Sequence, residues 1–415
     1  MALISMKKMF SLVFLVTLAL LYSSFDVASL SVNEEVEAEA EAEAETDAPL
    51  KWKASLHNKT QPPLPSWILL RHQFFEQSKY KLKPMQLVRY FLQPIRSVTA
   101  LYLTNSTLKG TLPEFPFSYL PNLECVDLST NELFGTVPIE ITPLSKIKDF
   151  VLSFNNFSGE IPPQIGLLIN LEFLYPNGNQ LNGSIPLEIG QLKSLNFLSL
   201  YANHLSDCIP ASLGNLSNLS LFLRDNFISC SIPASLGNLS NWTYLYPYDN
   251  QLPASIPPEI GNLTNLVELD ISNNRLTSTI PYSIINLGKL TLLQVYENQL
   301  SSSNSPDIGN LKSLINLSLH TNIVSGSIPT SLGALSDLSI LHLYSNQLSS
   351  TLLEQLGNLK SIIELDLSID QLNGTIPISL GNLSNLELLL LCDNQFSSPI
   401  PQQIVNIKAR KCVKI

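Results

Sequence analysis

An asparagine returns every 24 residues along most of this chain, at Asn131, Asn155, Asn179, Asn203, Asn226, Asn250, Asn274, Asn298, Asn322, Asn346 and Asn394. Each sits in the frame L-x-x-L-x-L-x-x-N-x-L-x-G-x-I-P, and the segment with Leu314, Leu317, Leu319, Asn322, Val324, Gly326, Ile328 and Pro329 shows it most completely. Thirteen copies occupy 98–401, the first centred on Ser106 and the twelfth carrying Asp370 in the asparagine slot. The step from Asn203 to Asn226 is 23, so one residue is missing before the sixth strand. A single unit of this length cannot bury its own apolar face, so the units must stack on their neighbours.

The spacing is that of the leucine-rich repeat. It predicts an α/β solenoid, a right-handed superhelical horseshoe with a parallel β-sheet on the concave face and a 3-10 or irregular convex side. The alternation in L-x-L has the period of a short strand. The leucines point into a continuous core, and the asparagine turns inward where the strand ends. Its amide donates and accepts, so it can satisfy backbone groups left unpaired at that bend. Asp370 cannot donate when ionised, and the twelfth rung is expected to be weaker. Pro176 and Pro247 fall at inward strand positions, where proline removes a ladder donor.

The flanks read differently. Lys7 and Lys8 precede an apolar run from Met9 to Tyr22 and then Val27, Ala28 and Ser29. That is the layout of a signal peptide over 1–29, too short for a membrane span. An acidic spacer follows over 30–48. Its eight carboxylates account for most of the net charge of −10, so the repeats themselves are near neutral. No basic stripe points to nucleic acid. Twelve N-x-S/T sequons, at Asn58, Asn105, Asn156, Asn182, Asn215, Asn218, Asn238, Asn241, Asn262, Asn316, Asn373 and Asn382, are glycosylation candidates in a secreted chain.

Function is sought on the concave face, at the outward strand positions three, five, seven and eight of each unit. Rungs four to seven place Phe173, Tyr175, Phe197, Tyr201, Phe222, Tyr244, Tyr246 and Tyr248 there, with Arg224, Asp225, Asp249, Glu268, Asp270 and Tyr296 beside them. Aromatic suitability for strands explains one or two such residues but not the cluster. An exposed aromatic stripe of this size reads as a surface for an extended peptide or protein ligand, with the acidic residues favouring a basic one. A glycan on Asn316 would confine such a ligand to rungs four to nine. His57, His72, His204, His320 and His342 stand in no metal or nucleophile motif, so no cofactor, metal or enzymatic activity is expected. Five cysteines leave one odd, and Cys208 and Cys230, in neighbouring rungs, are within reach of a disulfide.

Segments such as SGEIPPQIGLL (158–168), LNGSIPLEIGQLKSL (181–195) and IPPEIGNLTNLVELDIS (256–272) resemble the ectodomains of plant receptor-like kinases, in particular the male-discoverer-interacting type. The resemblance implies a secreted or cell-surface receptor that takes peptide or protein ligands and pairs with a receptor-kinase co-receptor in signalling or defence. It would place a membrane helix and kinase beyond Ile415, which makes an N-terminal fragment of a receptor serine/threonine kinase the second reading. An inhibitor of a secreted pathogen enzyme, resembling polygalacturonase inhibitors, is the third. The family's N-terminal cap carries a cysteine pair, and 49–97 has none. The tail 402–415 likewise lacks a cap. Relatives that bind a ligand carboxylate through an Arg-x-Arg pair find no match here, since Arg224 is the only arginine on the patch.

Overall fold

The computed structural model describes residues 98–412 apart from 114, 116, 303–306 and 406–409. The expected leader, acidic spacer, N-terminal cap and Asn58 lie outside the described residues.

Each 24-residue unit makes one turn of a solenoid. Three-residue strands such as Asp149–Val151, Glu268–Asp270 and Ile340–His342 pair in parallel with the unit on either side. Their registers put like positions opposite one another, for example Leu269 beside Leu293 and Leu293 beside Leu317. The repeated leucines are essentially water-free and form one core from Val98 to Ile404. On the convex side the segment after I-P folds into a 3-10 turn, as in Pro163–Leu167 and Pro258–Asn262. Glycines in these turns have no room for a side chain: a Cβ on Gly214 would lie 2.3 Å from the Ser235 carbonyl oxygen.

The asparagines form the inner ladder. Asn155 donates its amide to the carbonyls of Leu128 (2.9 Å), Leu152 (3.1 Å) and Ser153 (3.3 Å) and accepts from the Leu133 N–H at 3.0 Å. Each amide thus ties its own rung to the one before. The residue just ahead of the ladder position has positive φ in every rung, from Asn105 at 50° to Asp393 at 55°.

Two features lay beyond the sequence reading. The N-x-L-x-G segments pair with one another into a second ladder of short strands, from Lys109–Thr111 to Gln395–Phe396, beside the concave sheet. Both ladders are also divided. The concave sheet has a six-stranded part ending at Ser220–Phe222 and an eight-stranded part beginning at Tyr244–Leu245, joined by a single bridge between Phe222 and Tyr246. The second ladder is divided into parts of five and seven strands, and rung six contributes none. Pro176 and Pro247 lie past the strands Phe173–Tyr175 and Tyr244–Leu245 rather than within them, at a position where strands without a proline, such as Asp149–Val151, also end. The last described strand, Arg410–Cys412, pairs with Leu388–Leu390, so part of the expected tail continues the concave sheet.

Candidate functional site

Because parallel pairing holds like positions in line, outward side chains on successive rungs stack about 4.8 Å apart at the backbone. Ring centroids of paired residues follow suit, 5.9 Å for Phe173 and Phe197 and 6.3 Å for Phe222 and Tyr246, while Phe197 reaches Phe222 diagonally at 6.0 Å, since its register partner on that strand is Ser220. Tyr175 lies against both Phe173 and Phe197, at 6.2 and 6.3 Å, and Tyr244 lies 6.0 Å from Tyr246. The rings expected on rungs four to seven are therefore one contiguous surface that crosses the division in the sheet. Most are half-buried by each other, and Tyr244 remains 44% exposed. Phe154 of rung three joins the cluster through Tyr201 at 6.4 Å.

Position seven builds a second column beside the first, running Tyr201, Arg224, Tyr248, Ser272, Tyr296, His320 and Tyr344. The Arg224 guanidinium carbon lies 4.6 Å from the Tyr201 centroid and 5.9 Å from that of Tyr248, and its Nη1 donates to the Tyr248 hydroxyl at 2.7 Å. This single cation is thus already held between two rings. Further along, His320 is stacked between Tyr296 (4.4 Å) and Tyr344 (4.3 Å). Burial, with the nearby His342 adding to it, lowers the His320 pKa to about 4, so the ring is neutral at physiological pH. His342 Nε2 meets the Glu364 carboxylate at 3.1 Å. The 24-residue recurrence at position seven was the signal in the sequence for this column.

The acidic residues are not arranged as a simple outward row. Asp225 is exposed and Asp249, partly buried, accepts from the Asn273 side-chain amide. Glu268 is half-buried and accepts from the Tyr246 hydroxyl. Asp270 is only 8% exposed, its Oδ1 taking the Ser272 N–H at 3.1 Å and hydroxyl at 2.5 Å. Burial first, then the charges of Asp249 and Glu268, raise its pKa to about 6. Position five lies at the middle of the sheet, where neighbouring side chains cover a short carboxylate. Spacing alone does not carry that information.

The described sequons are exposed at Asn105, Asn156, Asn182, Asn215, Asn218, Asn238, Asn241, Asn262, Asn373 and Asn382, and Asn316 is half-buried on its concave strand. Cys208 and Cys230 are disulfide-bonded, with Cα atoms 4.7 Å apart, beside the gap in the second ladder. Cys125 is buried, and that burial raises its thiol pKa to about 12. Among the described residues no group of metal-binding side chains occurs and no helix is long and apolar enough to cross a membrane.

A family model described as a leucine-rich repeat region matches residues 226–408. A leucine-rich-repeat protein of Leptospira interrogans is 30% identical with a TM-score of 0.62, the match covering 76% of this chain and 77% of that one. The chain is a leucine-rich-repeat protein. Its likeness extends to plant receptors. The MDIS1-interacting receptor like kinase 2 of Arabidopsis thaliana is 42% identical over 92 residues, 22% of this chain and 8% of that kinase. The structure of PEPR1–AtPEP1 has a TM-score of 0.78 at 32% identity and covers 89% of this leucine-rich-repeat chain and 51% of its own. The Arabidopsis receptor kinase HAESA, solved with the peptide hormone IDA and the co-receptor SERK1, has a TM-score of 0.67 at 29% identity, covering 85% and 62%. The leucine-rich-repeat chain therefore spans about a tenth of the curated relative and between half and two thirds of the receptor structures.

Proposed function

We propose that this chain is an extracellular, receptor-like recognition module of plant signalling or defence, whose concave groove binds an extended peptide. The observation that carries the reading is the unbroken contact of rings from Phe173 to Tyr248 on a face built of rigid strands. Aromatic side chains offer large contact area with few rotamers to freeze, which is why binding energy concentrates on them. Solved receptors of similar fold that carry peptide hormones support the same reading. The described array is a binding surface without catalytic machinery, and any kinase activity belongs to another part of a longer protein. A co-receptor partner and a cell-surface location follow from the same likeness, and the disposition of exposed sequons agrees with them.

The test is capture of synthetic decapeptides by the full chain, compared with its Tyr246→Ala/Tyr248→Ala variant. Loss of about 2 kcal/mol in affinity, with unchanged thermal unfolding, is the expected result for a hot spot. Equal affinity in both proteins would show that the rings are strand-formers and the groove lies elsewhere.

A further inference from the structure

The aromatic stripe runs along a face whose solvent-reachable charge is one-sided. Beside the rings, the outward positions of rungs six to nine present Asp225, Asp249, Glu268 and Glu297. Arg224, the cation among them, is already engaged by Tyr201 and Tyr248. The face thus offers ring surface and negative charge together, on rigid strands.

The same chain contains a stretch of the opposite kind. Residues 68–96 carry six basic side chains, Arg71, Lys79, Lys81, Lys83, Arg89 and Arg96, against Glu76 alone. Phe74, Phe75, Tyr80, Tyr90 and Phe91 stand among them. So much apolar surface calls for cover, and cover that suits six cations must itself be acidic. The spacer at 34–47 supplies charge but only Val36 and alanines as apolar surface. The concave face supplies both.

Distance allows the match. Phe173 lies three rungs beyond Val98 and Tyr246 lies six, about 14 and about 29 Å at ~4.8 Å per rung. About nine extended residues, at ~3.3 Å each, reach the farther ring, which leaves most of 68–96 to lie along the groove. A tether of this kind holds a segment at an effective concentration in the millimolar range, so modest affinity is enough to fill the groove.

We infer that the concave groove is the docking surface of this chain's own segment 68–96. Its aromatic side chains pack on the stripe from Phe173 to Tyr246, and its lysines and arginines meet the tyrosine faces and the carboxylates of rungs six to nine. The docking rests on the groove surface alone. Its consequence, that an incoming peptide must displace a tethered competitor, rests on the peptide-binding reading.

Hydroxyl-radical footprinting of the full chain reads the docking without any added ligand. The comparison is with a variant carrying Arg71→Gln, Lys79→Gln, Lys81→Gln, Lys83→Gln, Arg89→Gln and Arg96→Gln. Oxidation of Tyr244 and Tyr246 should be about threefold faster in the variant, as expected when a segment tethered at millimolar effective concentration is released. Tyr282, exposed on the convex side, should not change. Raising salt from about 0.05 to about 0.5 M should speed the same two tyrosines in the wild type, because it screens the charge pairing. Equal rates in the two proteins overturn the inference. So does faster oxidation confined to Tyr102 on rung one, which would make 68–96 a cover for the open end of the core. Should the variant not fold, the wild-type salt response decides, and unchanged rates at Tyr244 and Tyr246 overturn the inference. Failure of the groove to capture an external peptide leaves these rates untouched, so the two readings fail separately.

Discussion

Rungs four and twelve make the same turn with very different residues. At rung four Gly178 takes the positive-φ position (65°) and Asn179 the ladder position, donating to Leu152 and Pro176 carbonyls at 3.0 Å and accepting from the Phe157 N–H at 3.0 Å. At rung twelve Ile369, a β-branched residue, is held at φ 56°, and Asp370 replaces the amide. Asp370 Oδ1 still accepts from the Leu348 N–H at 2.7 Å, but its buried Oδ2 has no partner where the asparagines donate. The backbone path survives both substitutions. The stack of neighbours therefore dictates the turn, and the local residues decide only how much free energy it costs.

Replacing Asn179 with alanine should break this comparison most severely. Three donated bonds and one accepted bond disappear in a dry interior, for a loss of about 3 kcal/mol in urea unfolding. A loss under 1 kcal/mol would mean that water or backbone adjustment replaces the amide.

Asp370→Asn should sharpen it in the opposite direction, stabilising by about 2 kcal/mol above neutral pH. Burial pushes the Asp370 carboxyl up to about 7, from an ordinary value near 4. The folded state therefore holds the proton more tightly than the unfolded one. Wild-type stability should fall as pH rises from about 4 to 7 and level off above, because ionising this group weakens the fold. The Asn variant should lose that component of the pH dependence, so its advantage shrinks toward pH 5. An advantage independent of pH would locate the effect elsewhere than in this proton.

Ile369→Gly is the smallest of the three. Relief of a left-handed conformation by a residue without Cβ should outweigh the entropy that glycine adds to the unfolded chain, for a gain of about 1 kcal/mol. The side chain is 53% exposed, so little packing is lost with it.

These particulars also show what could be read from the residues alone. The 24-residue period sufficed for the solenoid, the parallel sheet, the ladder and the placing of the aromatic residues on one face, because each follows from which side of a strand a position occupies. Asp370 was legible as a weak rung for the same reason. The second ladder of strands was not, since its short N-x-L-x-G pieces have too little alternation to show a period of two. Glycine is replaced in that slot by Asp207, Ala254, Ser278 and Ser350, which keep positive φ between 59° and 91°, and by Cys230 and Ser398, which do not, so composition alone does not report the conformation. The depth of Asp270 was equally hidden. Burial at position five depends on the sizes of side chains 22 to 26 residues away, such as Tyr246 and Tyr296, which only stacking brings near.

The division of the sheet beside Pro247 carries one more consequence. The concave sheet is divided here while the core runs on, and the aromatic surface spans the division, with Phe222 on one side and Tyr244 and Tyr246 on the other. In a solenoid each unit is secured only by its neighbours, and here strand pairing shrinks to one bridge, with the Asp225 and Asn226 N–H groups bonding Tyr248 and Asp249 and the Asn250 amide bonding Leu223 across the joint. A peptide lying across it would act as a splint. Under the proposed peptide-binding reading, occupancy would then be felt as stiffness along the array, at surfaces far from the ligand.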